Sequence, residues 1–171
     1  MNKTAQQEQT IIREADASDA ASIASIYNHY VAETVVTFDE QPVTVQEMAR
    51  RVEEVHAVSL PWLVAEQDNR VVGYAYASPW KRRAAYRFSV EISVYLDPNH
   101  LGRRLGTRLY SELFAILRNS QAHAVIGGIA LPNDASVALH EKFGMHKVAV
   151  FEEVGFKFNR WIDVGYWERT L

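Results

Sequence analysis

Between Phe88 and Leu96 the apolar residues Phe88, Val90, Ile92, Val94 and Leu96 alternate with Ser89, Glu91, Ser93 and Tyr95. Side chains of a β-strand point to opposite faces in turn, so a period of two specifies a strand here. Asp97-Pro98-Asn99-His100-Leu101-Gly102-Arg103-Arg104 then breaks the pattern. Leu105, Leu109, Leu113, Phe114 and Leu117 follow on one stripe of a helix expected over 104–119. The unpaired N–H groups and positive dipole end of that helix point back at the turn, which can therefore hold a phosphate or diphosphate. The strand carries a single carboxylate, Glu91. An anion cradle beside a lone acid points to an enzyme that grips a phosphate-bearing cofactor and moves a proton.

The flanking sequence builds outward from this unit. Residues 11–15 can form a strand. Residues 16–30 follow as a helix with Ser18 or Asp19 as cap and Ala20, Ile23, Ala24, Ile26 and Tyr27 at helical spacing. A second amphipathic helix is expected over 43–58, where Thr44 and Glu47 stand at capping-box spacing. Strands over 62–67 and 71–78 flank Asp68-Asn69-Arg70, which suits a hairpin turn. A basic loop, 79–85, leads into the alternating strand. Beyond the central helix come an apolar strand over 124–130, a helix over 135–143 that ends at Gly144, and two strands near 147–156 and 161–171. The order β-α-α-β-β-β-α-β-α-β-β specifies an α/β fold: a single mixed, mostly antiparallel sheet with helices on both faces.

The chain has 171 residues, 48% of them hydrophobic, enough for one well-cored domain over 11–171 behind a flexible tail, 1–10. Its net charge of -3 gives no basic field to recruit nucleic acid or an anionic membrane. There is no cysteine, hence no disulfide, thiolate nucleophile or zinc–cysteine site, and no metal is expected. The polar, Gln-rich start is unlike a signal peptide, and no apolar run approaches the ~20 residues that span a bilayer. A cytoplasmic location is expected.

Ile26-Tyr27-Asn28, Gly73-Tyr74-Ala75, Ser78-Pro79-Trp80-Lys81, Val90-Glu91-Ile92-Ser93-Val94-Tyr95 and Leu131-Pro132-Asn133-Asp134-Ala135-Ser136-Val137-Ala138-Leu139-His140-Glu141-Lys142-Phe143-Gly144 recur in an order worth naming. So do the closing Gly155-Phe156-Lys157 and Asn159-Arg160-Trp161-Ile162-Asp163-Val164-Gly165. Together they make the chain resemble the GCN5-related N-acetyltransferases (GNAT), and among these the phosphinothricin / methionine sulfoximine N-acetyltransferase group, over nearly its whole length. The resemblance implies the acyl-CoA N-acyltransferase fold, acetyl-CoA as co-substrate, a small-molecule amine as acceptor, and a homodimer. It also exposes a departure. The family loop reads Gln/Arg-x-x-Gly-x-Gly/Ala, whereas this chain has Leu101-Gly102-Arg103-Arg104-Leu105-Gly106, with Arg104 at the first glycine position.

Site residues follow from the resemblance, and each has a plainer reading beside it. Glu91 is the expected general base, because an acceptor amine of pKa roughly 9–10, by analogy with lysine, must lose a proton before it attacks a thioester. On periodicity alone an outward-facing strand acid is the better reading, and the resemblance reverses that order. His140 occupies the place of an acid or relay for the departing thiolate, or is a packed histidine bonded to a backbone carbonyl. The backbone of Val94, Tyr95 and Leu96, the diphosphate loop Leu101, Gly102, Arg103, Arg104, Leu105, Gly106 and Thr107, and the amide of Asn133 would hold acetyl-CoA. Asn133 is also a good helix N-cap.

Lys81, Arg82 and Arg83 would clamp the carboxylate of an amino-acid acceptor, although a solvated basic turn reads the same way. Phe38 would wall the pocket or fill the core, and Ile92 and Ser93 beside Glu91 complete the acceptor side. The expected reaction is direct acetyl transfer to the α-amine of phosphinothricin, methionine sulfoximine or methionine sulfone. The alternatives are a peptide or protein N-terminus as acceptor, or a non-catalytic acetyl-CoA sensor.

Overall fold

The computed structural model describes residues 10–171. Of the tail expected over 1–10, only Thr10 lies within the described residues. Among the described residues seven strands form one sheet in the order β1-β2-β3-β4-β5-β7-β6: β1 (Ile11–Glu14), β2 (Trp62–Gln67), β3 (Arg70–Pro79), β4 (Ser89–Leu96), β5 (Ala124–Ala130), β6 (His146–Lys157) and β7 (Arg160–Thr170). Every neighbouring pair is antiparallel except β4 and β5. Among the described residues four α-helices complete the fold: α1 (Ala20–Glu33), α2 (Val45–Ala57), α3 (Leu105–Arg118) and α4 (Asp134–Lys142).

The alternation of β4 divides the core in two. Val90 and Ile92 are buried with Leu105, Leu109, Tyr110, Leu113, Phe114 and Leu117 of α3. On the other face Trp62, Val64 and Tyr74 pack with Ile23, Tyr27 and Val31 of α1 and Met48 and Val52 of α2. Burial of this kind contributes about 1.5–3 kcal/mol per large side chain, so the two clusters hold the sheet between its helices.

The termini of these elements follow local chemistry. Thr44 accepts from the Glu47 N–H at the start of α2, a side-chain cap of the kind worth ~1 kcal/mol. The turn between β2 and β3 has Asp68 and Asn69 at φ 50° and 59°, the left-handed pair that suits a tight hairpin. The first helix differs from the sequence expectation. Asp19 does stand at the N-cap of α1, but its side chain caps nothing in that helix; the side-chain capping lies one short turn earlier, where Asp16 accepts from Ser18 N–H and, with Asp19, closes a capping box over a 3-10 turn. The α-helix proper therefore starts at Ala20, and it runs on to Glu33 rather than stopping at Tyr30.

Candidate active site

The parallel pairing of β4 with β5 is short. Ser89, Val90 and Glu91 align with Ala124, Val125 and Ile126, and there the ladder ends. β5 continues to Ala130 paired only with β7, and β4 continues to Leu96 paired only with β3. The edge of β4 beyond Glu91 thus faces a cleft instead of a neighbour. Ile92, Ser93, Val94 and Tyr95 line one side of it and Gly128, Ile129 and Ala130 the other, with Asn133, Ser136 and His140 of α4 below. Backbone N–H and C=O groups along such an edge require partners, and an extended ligand chain with amides can supply them.

Side chains fix this fork in place. Tyr30 of α1 donates its hydroxyl to the Leu96 carbonyl at 2.7 Å. The Tyr95 ring sits among Tyr27, Tyr30 and Tyr74, with ring centres 5.3–5.4 Å away. The side chain of Tyr95 therefore serves packing, while its backbone lies in the cleft.

Downstream of the fork, the loop 101–104 turns into α3. Gly102 and Arg104 both have positive φ, 75° and 61°. Arg104 adopts the left-handed conformation that suits the glycine of the family pattern, at the N-cap of α3, and no side chain caps that helix. The N–H groups of the first turn are thus left for an outside acceptor, with Arg103 and Arg104 exposed beside them. Gly106 matters for a different reason. A Cβ there would stand 3.1 Å from Leu139, so the residue lets α4 close on α3. Lys142 Nζ reaches Thr107 Oγ1 at 3.4 Å and adds a third cation to this corner. The residues present fit a diphosphate.

Glu91 stands where the ladder ends, half-buried, and among the described residues it has no hydrogen-bond partner. Burial raises its pKa above the ordinary carboxylate range, while the Lys81 ammonium pulls it back. Gly128 makes room for it. A Cβ at that position would lie 3.2 Å from Glu91 Oε1 and 3.3 Å from the Tyr166 ring. Tyr166 in turn meets Trp80 edge-on at 5.5 Å, and Lys81 Nζ lies 4.5 Å over the Trp80 ring. The basic loop therefore reaches the acid through Lys81. Arg82 and Arg83 remain exposed, and they are not gathered into a closed clamp.

His140 is 3% exposed, and both ring nitrogens are engaged. Nδ1 lies 2.7 Å from the Ser136 carbonyl, which only accepts, so Nδ1 carries the hydrogen. Nε2 then accepts from the Tyr110 hydroxyl at 3.1 Å. Burial lowers the pKa of the imidazole and favours this neutral form. Asn133 caps α4 through Oδ1, which accepts from Ser136 N–H at 3.1 Å, and the cap does not use its amide nitrogen. Phe38 is 41% exposed and lies against Gly155 of β6 rather than in either core cluster.

Tyr110 and Tyr166 were not singled out in the sequence. Tyr110 is hidden inside the apolar stripe of α3, and Tyr166 inside a strand rich in aromatics. The pair Gly127-Gly128, two glycines in a strand interior, was the available signal of close approach. A wider groove of about 800 Å³ lies between α1 and the β2–β3 turn, with Arg70, His100 and Arg103 on its wall, and it holds none of the fork residues.

A fork that can pair with an amide chain, a diphosphate corner at its end and an unpartnered acid at its root belong to an acyltransferase that draws on an acyl-CoA. The model of the acetyltransferase (GNAT) domain matches residues 12–165. The chain belongs to the GNAT family and is an acetyltransferase that uses acetyl-CoA. It is 40% identical over 160 residues to the phosphinothricin N-acetyltransferase of Streptomyces viridochromogenes, covering 94% of this chain and 87% of that protein. It is 36% identical to the L-methionine sulfoximine/L-methionine sulfone acetyltransferase of Salmonella typhimurium, covering 94% of each. The crystal structure of the Sinorhizobium meliloti phosphinothricin acetyltransferase in complex with acetyl-CoA superposes with a TM-score of 0.92 at 36% identity, covering 95% of this chain and 88% of that one. Among the described residues no helix is long and apolar enough to cross a membrane.

Proposed function

We propose that the chain acetylates the α-amine of small amino-acid analogues of the phosphinothricin, methionine sulfoximine and methionine sulfone type, with Glu91 as general base. The observation that carries this reading is the placement of Glu91: an unpaired, half-buried carboxylate at the point where β4 leaves β5. The names of the relatives support the acceptor class.

Acetyl-CoA supplies an activated acetyl group as a thioester. The exposed edge of Val94, Tyr95 and Leu96 and the amide of Asn133 orient it along the cleft, and residues 101–107 hold its diphosphate. The carboxylate of Glu91 takes the proton of the incoming ammonium, directly or through one water. Its raised pKa brings its basicity closer to that task than an exposed acid's. Lys81, with Arg82 and Arg83 on the same loop, attracts the acceptor carboxylate. Ile92, Ser93 and Phe38 bound the acceptor, and most of the rate comes from alignment and polarisation of the carbonyl. His140 acts through Tyr110, whose hydroxyl it holds at the cleft.

The outer strand β6 exposes Val148, Val150, Phe151, Val154 and Phe156, and Trp161 of β7 lies beside them. So much apolar surface along a sheet edge supports a homodimer built on this strand.

The test is CoA release from acetyl-CoA with methionine sulfoximine, methionine sulfone, phosphinothricin, spermidine and a short peptide, for the wild type and Glu91→Gln. Turnover confined to the amino-acid analogues, and lost in the variant, supports the reading. Turnover with peptide alone moves the acceptor to a polypeptide N-terminus. Binding of acetyl-CoA without turnover of any amine makes the protein a sensor.

A further inference from the structure

The connector between α1 and α2, residues 34–44, has no regular structure, yet it brings one side chain into the cleft and carries a second, proposed above for the acceptor side, two residues on. Val36 lines the cleft at the fork, and Phe38 is the proposed acceptor wall. Its inner anchors come from the helices. The Tyr27 hydroxyl bonds Thr37 Oγ1 at 2.6 Å and Asp39 at 2.8 Å, Arg51 bonds Asp39 at 3.1 Å, and the Asn28 amide pairs with the Val43 backbone.

A second set of anchors comes from β6. Lys157 Nζ donates to the Thr37 carbonyl at 2.8 Å, and the lysine is only 3% exposed. Next to it the Phe38 ring occupies the space over Gly155, where a Cβ would stand 2.4 Å from Cζ. A buried ammonium is costly unless it is bonded, and simple packing at this position is better served by Met or Leu. Its backbone acceptor belongs to Thr37, the residue between Val36, which lines the cleft, and Phe38. The register of β6 against β7 shifts between Phe151 and Gly155, immediately before this contact.

We propose that Lys157 and Gly155 are positioning residues: from β6 they hold residues 36–38 so that Val36 and Phe38 close the acceptor pocket beside the fork. The role rests on the acetyltransferase reading above for its acceptor side, and on geometry alone for the clamp itself. Neither residue touches the reacting groups.

Two readouts separate these parts: amide hydrogen exchange of segment 34–41 in the acceptor-free protein, and initial-rate kinetics with acetyl-CoA and methionine sulfone. Lys157→Met is expected to speed exchange in 34–41 while α1, α3 and β3 keep their protection. It should raise the acceptor KM by about tenfold, the scale of one lost hydrogen bond to a charged group. The acetyl-CoA KM should move by less than about twofold, since residues 101–107 are untouched. Lys157→Arg keeps a donor and restores most of both. Gly155→Ala pushes Phe38 away with the Lys157 bond intact and raises the acceptor KM in the same sense, which covers a Lys157→Met that fails to fold. Unchanged exchange in 34–41 overturns the clamp, and faster exchange with an unchanged acceptor KM overturns its role in the pocket. A wild type that turns over no amino-acid analogue overturns the acceptor assignment, while the exchange arm still decides the clamp.

Discussion

His140 lies directly over Gly127: a Cβ on that glycine would meet both Cδ2 and Nε2 of the imidazole at 2.5 Å. The next residue, Gly128, makes room on the opposite face for Glu91. Adjacent strand residues point to opposite faces, so two successive glycines in β5 admit the histidine from the α4 side and the acid from the α1–α2 side. Gly127→Ala should displace the ring and break its contact with Tyr110. Overpacking of this kind costs about 1–3 kcal/mol, and the melting temperature should fall by roughly 2–10 °C. Gly128→Ala meets its neighbours at 3.2–3.3 Å and should be milder in stability. Its larger effect should fall on kcat, through the Glu91 carboxylate. Thermal unfolding and steady-state kinetics of the two variants separate the faces.

Burial raises the Glu91 pKa and Lys81 opposes the rise, so the charge on Lys81 should be visible in the acid limb of activity. In the proposed role of general base Glu91 would work only when ionised, and kcat/KM should then decline as pH falls through its pKa. Lys81→Met removes the opposing charge, raises that pKa further and should move the acid limb to higher pH. An acid limb that stays in place in Lys81→Met would show that the loop cation does not reach the base.

Stability carries the same sign argument. A carboxylate whose folded pKa lies above its unfolded value favours the folded state when protonated and costs stability once ionised. Folded-state stability of the wild type should therefore drop as pH rises through the interval between the two pKa values. Glu91→Gln lacks this penalty. It should melt higher than the wild type above that interval and show no such gain below it, while losing activity throughout.

How much of this was open to inspection in the sequence depended on the range of each interaction. The alternation of β4, the stripe of α3, the Thr44 cap and the hairpin at Asp68-Asn69 are set by neighbours in the chain, and the structure reproduces them. Asp19 was legible as the N-cap position of α1, but the 3-10 turn before it was not, because Asp16, Ser18 and Asp19 all suit a cap and only the reciprocal bonds of Asp16 and Asp19 show that the side-chain capping serves that turn. Glu91 and the corner 101–107 were legible as motifs. The contacts that surround them in the candidate site were not, since Tyr110 to His140 and Lys157 to Thr37 join residues far apart in the chain.

Tyr110 and His140 can be tested as a pair. Tyr110→Phe removes the only hydroxyl that donates to His140 Nε2 among the described residues. A buried acceptor left without a donor costs about 1–3 kcal/mol. If the pair manages the proton for the departing thiolate, kcat should also fall by about 10²-fold with the acetyl-CoA KM unchanged. A variant that loses stability but keeps kcat makes the contact purely structural.

Arg104 combines two opposing effects at one position. Its left-handed backbone, φ 61°, is strained for a residue with a Cβ by about 1–2 kcal/mol. Glycine relieves the strain but adds about 0.4–1 kcal/mol of unfolded-chain entropy. Arg104→Gly should therefore be more stable by up to about 1.6 kcal/mol, a rise of roughly 6 °C at most. The guanidinium stands beside the uncapped start of α3, where a diphosphate would sit. An exposed charge–charge contact of about 0.5–1 kcal/mol would be lost with it, raising the acetyl-CoA KM about two- to fivefold at low salt. The difference should shrink as salt screens the loop. Arg104→Asn, which tolerates the left-handed conformation without the charge, should match the glycine variant in KM and fall short of it in stability. A KM that falls in both variants would mean that the arginine obstructs the corner rather than serving it.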